Sequence, residues 1–430
     1  MLKRTSLERA LLAKAARYLP GGNLGNLSLQ GDLDFLVKEG RGSRIWDVSG
    51  NEYVDWLMGS GPMILGHAHP AVVEAVMKAV EQGSTFFTTN ERAVLLAEEL
   101  VEAVPCAEQI RFTTSGTDAC FQAMRAARSY RKREKVLKFE GGFHGTSDYA
   151  MMSVTPSAGE EFPQASPSSG GIPKAVQELM LIAPFNDLDT TSAIIEAHHD
   201  ELAAVIVEPL QRMLAPQPGF LQGLRQVTAQ HDIPLIFDEV VTGLRLAYGG
   251  AQEHYGVIPD LCCMGKIMGG GYPLAAVLGR GDILSVYDRS IAAADSYVNQ
   301  IGTLNGNPIA CAAGLATLAE LRKPGAYEGL RAAGARLRQA LVDICAENGI
   351  GVQVCGEDSV FDVYFTGQPV FNYRDGLAGD AGMFNRFNAG LLEQGILKGA
   401  PKFYPSAVHT GEDVDKTIAA FREVISTLQD

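Results

Sequence analysis

The amino-acid sequence predicts an α/β protein, with a large domain on a mostly parallel sheet and a smaller α+β domain following it. Three observations carry this reading. Short apolar runs bounded by polar residues recur through the middle of the chain, as in strands buried on both faces. Two successive runs, 234–237 and 261–264, deliver Asp238 and Lys266 at their carboxyl ends. From about Pro324 the pattern changes to helix, short strands near 352–354 and 361–365, then helix again, which suits a smaller domain.

The first segment, MLKRTSLERALLAKAARYLPGG, has basic residues but only the apolar run 10–13, far short of a membrane span. It reads as an amphipathic helix, with a transit peptide as the alternative that Glu8 weakens. PGGNLGNLSLQ is rich in turn formers and reads as a loop near the surface or lining a site. Runs 45–48 and 53–57, separated by Ser49, Gly50 and Asn51, read as a hairpin. His67 and His69 have the spacing of a metal pair but no accompanying cysteine or carboxylate cluster, so a structural role and no metal are expected.

Run 110–113 reads as a strand, and apolar Cys120, Ala123, Met124 and Ala127 mark one face of the helix after it. Ser115, Gly116 and Thr117 therefore open that helix, where unpaired N–H groups and the positive dipole end favour an anion such as phosphate. An ordinary hydroxyl cap is the simpler reading of the same residues. Run 136–139 ends in EGGFHG, which brings Phe143 and His144 to the same sheet edge, the aromatic suited to stacking on a ring. The Pro-, Ser- and Gly-rich segment 155–174 reads as a lid. Run 203–207 leads to Glu208 and Gln211, and run 274–278 continues the sheet. Gly302, Thr303, Asn305 and Asn307 form a polar turn before a helix at 310–321. The expected divisions are an amino-terminal segment at 1–65 packing with the small domain, a large domain at 66–310 and a small domain at 311–430.

With 430 residues, 46% of them hydrophobic, the chain can fill two cores. Its 36 basic and 50 acidic residues give a net charge of −14, which disfavours nucleic acid and anionic membranes and leaves a small-molecule partner. Seven cysteines, with Cys262 and Cys263 adjacent and no CxxC spacing, argue for reduced thiols and a cytoplasmic location. Nucleotide motifs fail: a Walker loop would need glycine at Asp260 and Ser or Thr at Ile267, and Ile64 stands where the third glycine after Gly59 and Gly61 belongs.

An acid and a lysine in one crevice, at the carboxyl ends of parallel strands, fit pyridoxal phosphate chemistry. There a lysine amine forms a Schiff base with the cofactor aldehyde and a carboxylate keeps the pyridine nitrogen protonated. Taken singly, Asp238 as a helix cap and Lys266 as a solvated loop lysine are the commoner roles.

With these residues laid out, the chain resembles the class III aminotransferases, most closely their branch containing glutamate-1-semialdehyde 2,1-aminomutase. The segments that carry the resemblance are WDVSGNEYVDW, LGHAHP, FTTSGTDA, KFEGGFHG, PSSGGIPK, PFND, VEP, DEVVTGLR, GVIPDLCCMGKIMGGGYP, GTLNGNP and SAVHTGED, in the family's order. The resemblance implies fold type I, with a large seven-stranded α/β domain, a smaller domain from both termini, and a homodimer with two shared active sites. It further implies that Lys266 is the Schiff-base lysine and Asp238 the ring-nitrogen partner. Val240 and Phe143 would pack on opposite ring faces, with His144 beside them, and Ser115, Gly116 and Thr117 would hold the phosphate. Thr303 would reach the phosphate of the partner's cofactor, and Glu208 and Gln211 would border the ring's substituents. Phe143 replaces a usual tyrosine and Asp118 a usual glutamate.

Departures from the family bear on substrate. The loop after PGG, residues 23–30, lacks the arginine that the aminomutases and related β-amino acid aminotransferases use for the substrate carboxylate. The stretch LQRMLAPQPG is shorter than in the aminomutases, and 399–406 lacks an expected glutamate. Arg212 and Lys402 either replace the missing clamp or are solvated. The leading expectation is an aminotransferase acting between an amine or amino acid and a keto acid by ping-pong half-reactions. An aminomutase or racemase on the same scaffold comes next, and a non-catalytic binding protein third; Lys266 and Asp238 argue against the last.

Overall fold

The computed structural model describes residues 3–25, 34–156, 160–399 and 402–428. The chain groups into two compact units, one comprising Met1–Pro70, Gly325–Pro369 and Ala378–Asp430, the other Ala71–Pro324 and Val370–Leu377. The second unit thus runs beyond residue 310 to Pro324, because the helix Pro308–Leu321 buries Ala310, Cys311 and Ala313 and packs on the helix Glu91–Ala103 and the turn after Lys266. Residues 370–377 also return to this unit from late in the chain.

The large unit is built on seven strands, β1 (Gln109–Thr113), β2 (Lys135–Phe139), β3 (Met180–Ala183), β4 (Leu202–Val207), β5 (Leu235–Glu239), β6 (Leu261–Met264) and β7 (Ala275–Gly279). Their order across the sheet is β1-β7-β6-β5-β4-β2-β3. All neighbours are parallel except β7, which runs antiparallel to both β1 and β6. Full burial of LAAVIV in β4 is the reason for its continuous apolar run, since helices cover both faces of such a sheet. The helix Gly116–Arg131 lays Cys120, Ala123, Met124 and Ala127 into the core, as the spacing predicts. The edge strand β3 has no counterpart among the expected strands; it follows the short helix Lys174–Gln177.

The smaller unit joins the hairpin Arg44–Asp47 and Glu52–Asp55 to Val37–Arg41 and Ile396–Leu397 in one sheet, and pairs Gln353–Glu357 with Val360–Tyr364 in another. Trp56, Phe361, Phe387, Phe403 and Phe421 fill its core. His67 Nε2 lies 2.7 Å from Asp55 Oδ2, a hydrogen bond within the smaller unit. Among the described residues no helix is long and apolar enough to cross a membrane. All seven cysteines are unpaired as disulfides.

Candidate active site

The strands of the large unit other than β7 place their carboxyl ends at one edge of the sheet, where the amino end of β7 also lies. Thr113 of β1 and Met264 of β6 lie opposite Ala275 and Ala276 of β7, while Asp238 pairs with Cys263 and Phe237 with Val207. The turns carrying residues 115–117, 140–145, 208–212, 238–240 and 265–266 therefore emerge at one sheet edge, where open α/β sheets bind ligands.

Asp238 is buried, and its Oδ2 accepts hydrogen bonds from His144 Nδ1 at 2.8 Å and Cys120 Sγ at 3.3 Å; its Oδ1 accepts the Val240 N–H at 3.1 Å. Three donors hold the carboxylate in one orientation. Donation through Nδ1 leaves His144 Nε2 buried without a hydrogen-bond partner. Cys120, His144 and Asp238 also have the spacing to hold a metal ion. Both donors converge on one carboxylate oxygen, so hydrogen bonding accounts for the cluster. The helical spacing alone assigns Cys120 a core position.

Lys266 follows β6 and Gly265 and opens the short turn Lys266–Gly269 in a left-handed conformation, φ 50°. Burial pushes its amine down to about 8; Arg245 and Arg212 add to the push, and Asp238 and Glu208 oppose it. Arg245 is fully buried and was not singled out from the sequence. An amine poised near neutrality is a far better nucleophile than an ordinary lysine.

Ser115 caps the helix Gly116–Arg131, its hydroxyl accepting the Asp118 N–H at 3.2 Å, and Thr117 Oγ1 accepts the Thr146 N–H at 3.3 Å. A Cβ on Gly116 would lie 2.9 Å from both γ-methyls of Val240, so only glycine allows this approach. Phe143 is part-exposed, its N–H held by Glu208 Oε2 at 2.9 Å. Gln211 Nε2 donates to the Glu140 carbonyl at 2.8 Å, while its Oε1 is buried without a hydrogen-bond partner.

The EGGFHG turn is fixed by two residues that sequence reasoning passed over. Lys138, fully buried on β2, donates to the carbonyls of Gly142 at 2.9 Å, Ala150 at 2.9 Å and Met152 at 2.5 Å. Burial pushes its amine down to about 7, and the three carbonyls match the three N–H donors of the ammonium form. Arg374, from the returning segment, makes a two-pronged contact with Glu140 at 2.9 and 3.0 Å and donates to the Glu160 carbonyl at 2.6 Å. The segment expected as a lid is pinned where it is described: Ser168 Oγ accepts the N–H groups of Val154 and Thr155, and Ser153 and Ser166 bond to each other. Residues 157–159 lie outside the described residues.

Arg212 is half-buried in the turn after β4, at φ 58°, with its guanidinium 5.5 Å from the centre of the Phe143 ring. Thr303 is exposed on the turn before the helix Pro308–Leu321. Lys402 belongs to the smaller unit, where it is buried. Burial raises the Asp362 carboxyl there, opposed by Lys398, whose Nζ lies 2.6 Å from Asp362 Oδ1, and by the charge of Lys402. Residues 26–30 of the loop after PGG, and 400–401 beside Lys402, lie outside the described residues.

Comparison with known proteins identifies the family. A family profile described as "Aminotransferase class-III" matches residues 29–425. The chain is 42% identical over 419 residues to "Glutamate-1-semialdehyde 2,1-aminomutase 2" of Brevibacillus brevis, covering 95% of this chain and 96% of that one. Its fold is similar to that of an omega-transaminase from Sphaerobacter thermophilus, with a TM-score of 0.94 and 36% identity over 100% of this chain and 99% of that one. It is similar also to a transaminase with PLP bound, with a TM-score of 0.91 and 30% identity over 99% of each chain.

Proposed function

The chain belongs to the class III aminotransferases, whose cofactor is pyridoxal 5'-phosphate, and from that premise we propose that it transfers an amino group from an amine or amino acid to a keto acid in two ping-pong half-reactions. The observation that carries the reading is Asp238, held by His144 and Cys120 at the same sheet edge as the activated Lys266.

The residues fit the cofactor. Gly116 and Val240 leave a cradle that a single Cβ would fill, and His144 Nε2 and Gln211 Oε1 are buried polar atoms with no hydrogen-bond partner among the described residues. When bound, pyridoxal phosphate supplies an electrophilic carbon and an electron sink. Ser115, Gly116 and Thr117 would bind the phosphate at the helix start. Asp238 would hold a proton on the ring nitrogen, with His144 and Cys120 orienting its carboxylate. Val240 and Phe143 would cover the two ring faces, and Glu208 and Gln211 would border the ring's substituents. Lys266 would attach the cofactor through Nζ and, once released by the incoming amine, carry the proton to and from the substrate carbon.

The 42% identity to an aminomutase supports a second reading, intramolecular amino transfer on one substrate. The absence of arginine from residues 23–30 favours intermolecular transfer, because that loop is where the aminomutases are expected to hold their substrate's carboxylate. A donor panel decides between them. The bound cofactor band should bleach with a donor and return on addition of pyruvate or 2-oxoglutarate, and Lys266→Ala should lose turnover by a factor of about 10² to 10⁴. Conversion of glutamate-1-semialdehyde to 5-aminolevulinate with no added keto acid would make the aminomutase reading correct.

The exposure of Thr303 supports a homodimer in which this residue completes the partner's phosphate site. Sedimentation of a fully active monomer would contradict it.

A further inference from the structure

Arg212 sits in a locked turn. The Gln211 N–H donates to the Leu214 carbonyl at 3.0 Å and the Leu214 N–H to the Gln211 carbonyl at 2.7 Å, while the Gln211 side chain is tied to the Glu140 carbonyl. Between these anchors Arg212 adopts φ 58°, a left-handed conformation that costs a non-glycine residue free energy and persists only where its surroundings hold it. Its guanidinium lies over Phe143, the aromatic beside the Asp238 and His144 pair. Its charge also reaches the Lys266 amine, adding to the effect of burial.

Elsewhere in the large unit Arg225 and Arg280 pair with Asp260, and Arg374 with Glu140. Arginines of the large unit without a carboxylate, such as Arg111, Arg128 and Arg131, donate to carbonyl oxygens instead. Arg212 makes no ion pair or hydrogen bond among the described residues, and Glu208, the acid before its turn, directs Oε2 to the Phe143 N–H. A half-buried guanidinium with no carboxylate of its own, close to the reactive amine, is stabilised by a ligand that brings a negative charge.

We propose that Arg212 receives the carboxylate of the substrate, so that the site acts on amino acids and keto acids in preference to simple amines. The inference rests on the reading of Lys266 as the transamination centre. One receptor serves both half-reactions, because the amino acid leaves as a keto acid with its carboxylate unchanged and the second keto acid brings another. The planar fork of the guanidinium gives two parallel bonds to a carboxylate, which a lysine cannot reproduce.

The test uses the holoenzyme and Arg212→Ala and Arg212→Lys, with two matched pairs, phenylalanine against 2-phenylethylamine and 3-aminobutanoate against 2-aminopropane. A turnover-independent arm titrates the cofactor band with benzoate. With the cofactor band intact, Arg212→Ala should lower the ratio of kcat/KM for acid over amine by about 10- to 100-fold, mainly through KM, and weaken benzoate to a similar degree. Arg212→Lys should fall between. A ratio and a benzoate affinity both within about twofold of wild type would overturn the assignment while leaving transamination intact. A wild type whose cofactor band responds to no amine, amino acid or benzoate would overturn the transamination reading, and this inference with it.

Discussion

Gly116→Ala tests the cradle on which the cofactor fit depends. The new Cβ would stand 2.9 Å from Val240 Cγ1 and Cγ2 and 3.5 Å from its Cβ, against a carbon contact distance of about 3.5 to 4.0 Å. Val240 has little room to yield, because its branched side chain is stiff at χ1 and its N–H is bonded to Asp238 Oδ1. The displacement is therefore passed along Asp238–Val240, the segment proposed to hold the ring. Overpacking of this kind costs about 1–3 kcal/mol. Alanine recovers about 0.5–1 kcal/mol over glycine in a helix, so the cofactor-free protein should lose at most about 2.5 kcal/mol. Cofactor affinity should fall by the part of this strain that the bound ring keeps Asp238–Val240 from relaxing, up to about 3 kcal/mol or about 150-fold. Equilibrium dialysis against graded pyridoxal phosphate measures the affinity, and thermal unfolding of the cofactor-free protein the stability. Gly265→Ala is the control: Gly265 is extended at φ −167°, and its Cβ would meet Val240 Cγ1 and Ala275 Cβ at an ordinary 3.5 Å. Its stability should stay within about 0.5 kcal/mol of wild type. Unchanged cofactor affinity in Gly116→Ala, or equal damage from Gly265→Ala, would refute the reasoning.

Two further outcomes follow from the electrostatics. Asp238→Asn should still take up cofactor but slow the donor half-reaction by at least about tenfold, because an amide cannot hold the ring nitrogen protonated. Stopped-flow bleaching at near wild-type rate would assign that role to another group. Cofactor uptake by the cofactor-free protein should rise with pH through about 8 and then level, since burial lowers the Lys266 amine to about 8 and the neutral amine attacks. Between about 8 and the ordinary lysine value near 10.5 the unfolded chain holds a proton that the folded chain has released, so Lys266 makes the cofactor-free protein more stable as pH rises across that window. Uptake that climbs steadily to pH 10.5 would show an unperturbed lysine.

The sequence by itself determined the features that depend on neighbours in the chain. An apolar run closed by Asp238, another closed just before Lys266, and hydroxyls ahead of a helical face are local patterns, and each strand or helix formed where its pattern lay. The resemblance added roles for residues inside those patterns. Tertiary structure decided what depends on distant partners. Glu140 meets Arg374 across 234 positions, and Asp238 meets Cys120 across 118, so no local spacing announces either contact. Lys138 reads in sequence as one lysine in an apolar run; only the packed sheet buries it completely and turns three carbonyls toward its amine. Segment 155–174 has the composition of a loose lid, yet serine hydroxyls and the returning Arg374 fix its described part. Arg212 shows the division within one residue: the chain supplies the charge, while a locked turn, the Phe143 ring and the want of a neighbouring carboxylate leave that charge unpaired near Lys266. Backbone pattern is encoded within a few residues, whereas burial and charge pairing are properties of the assembled fold.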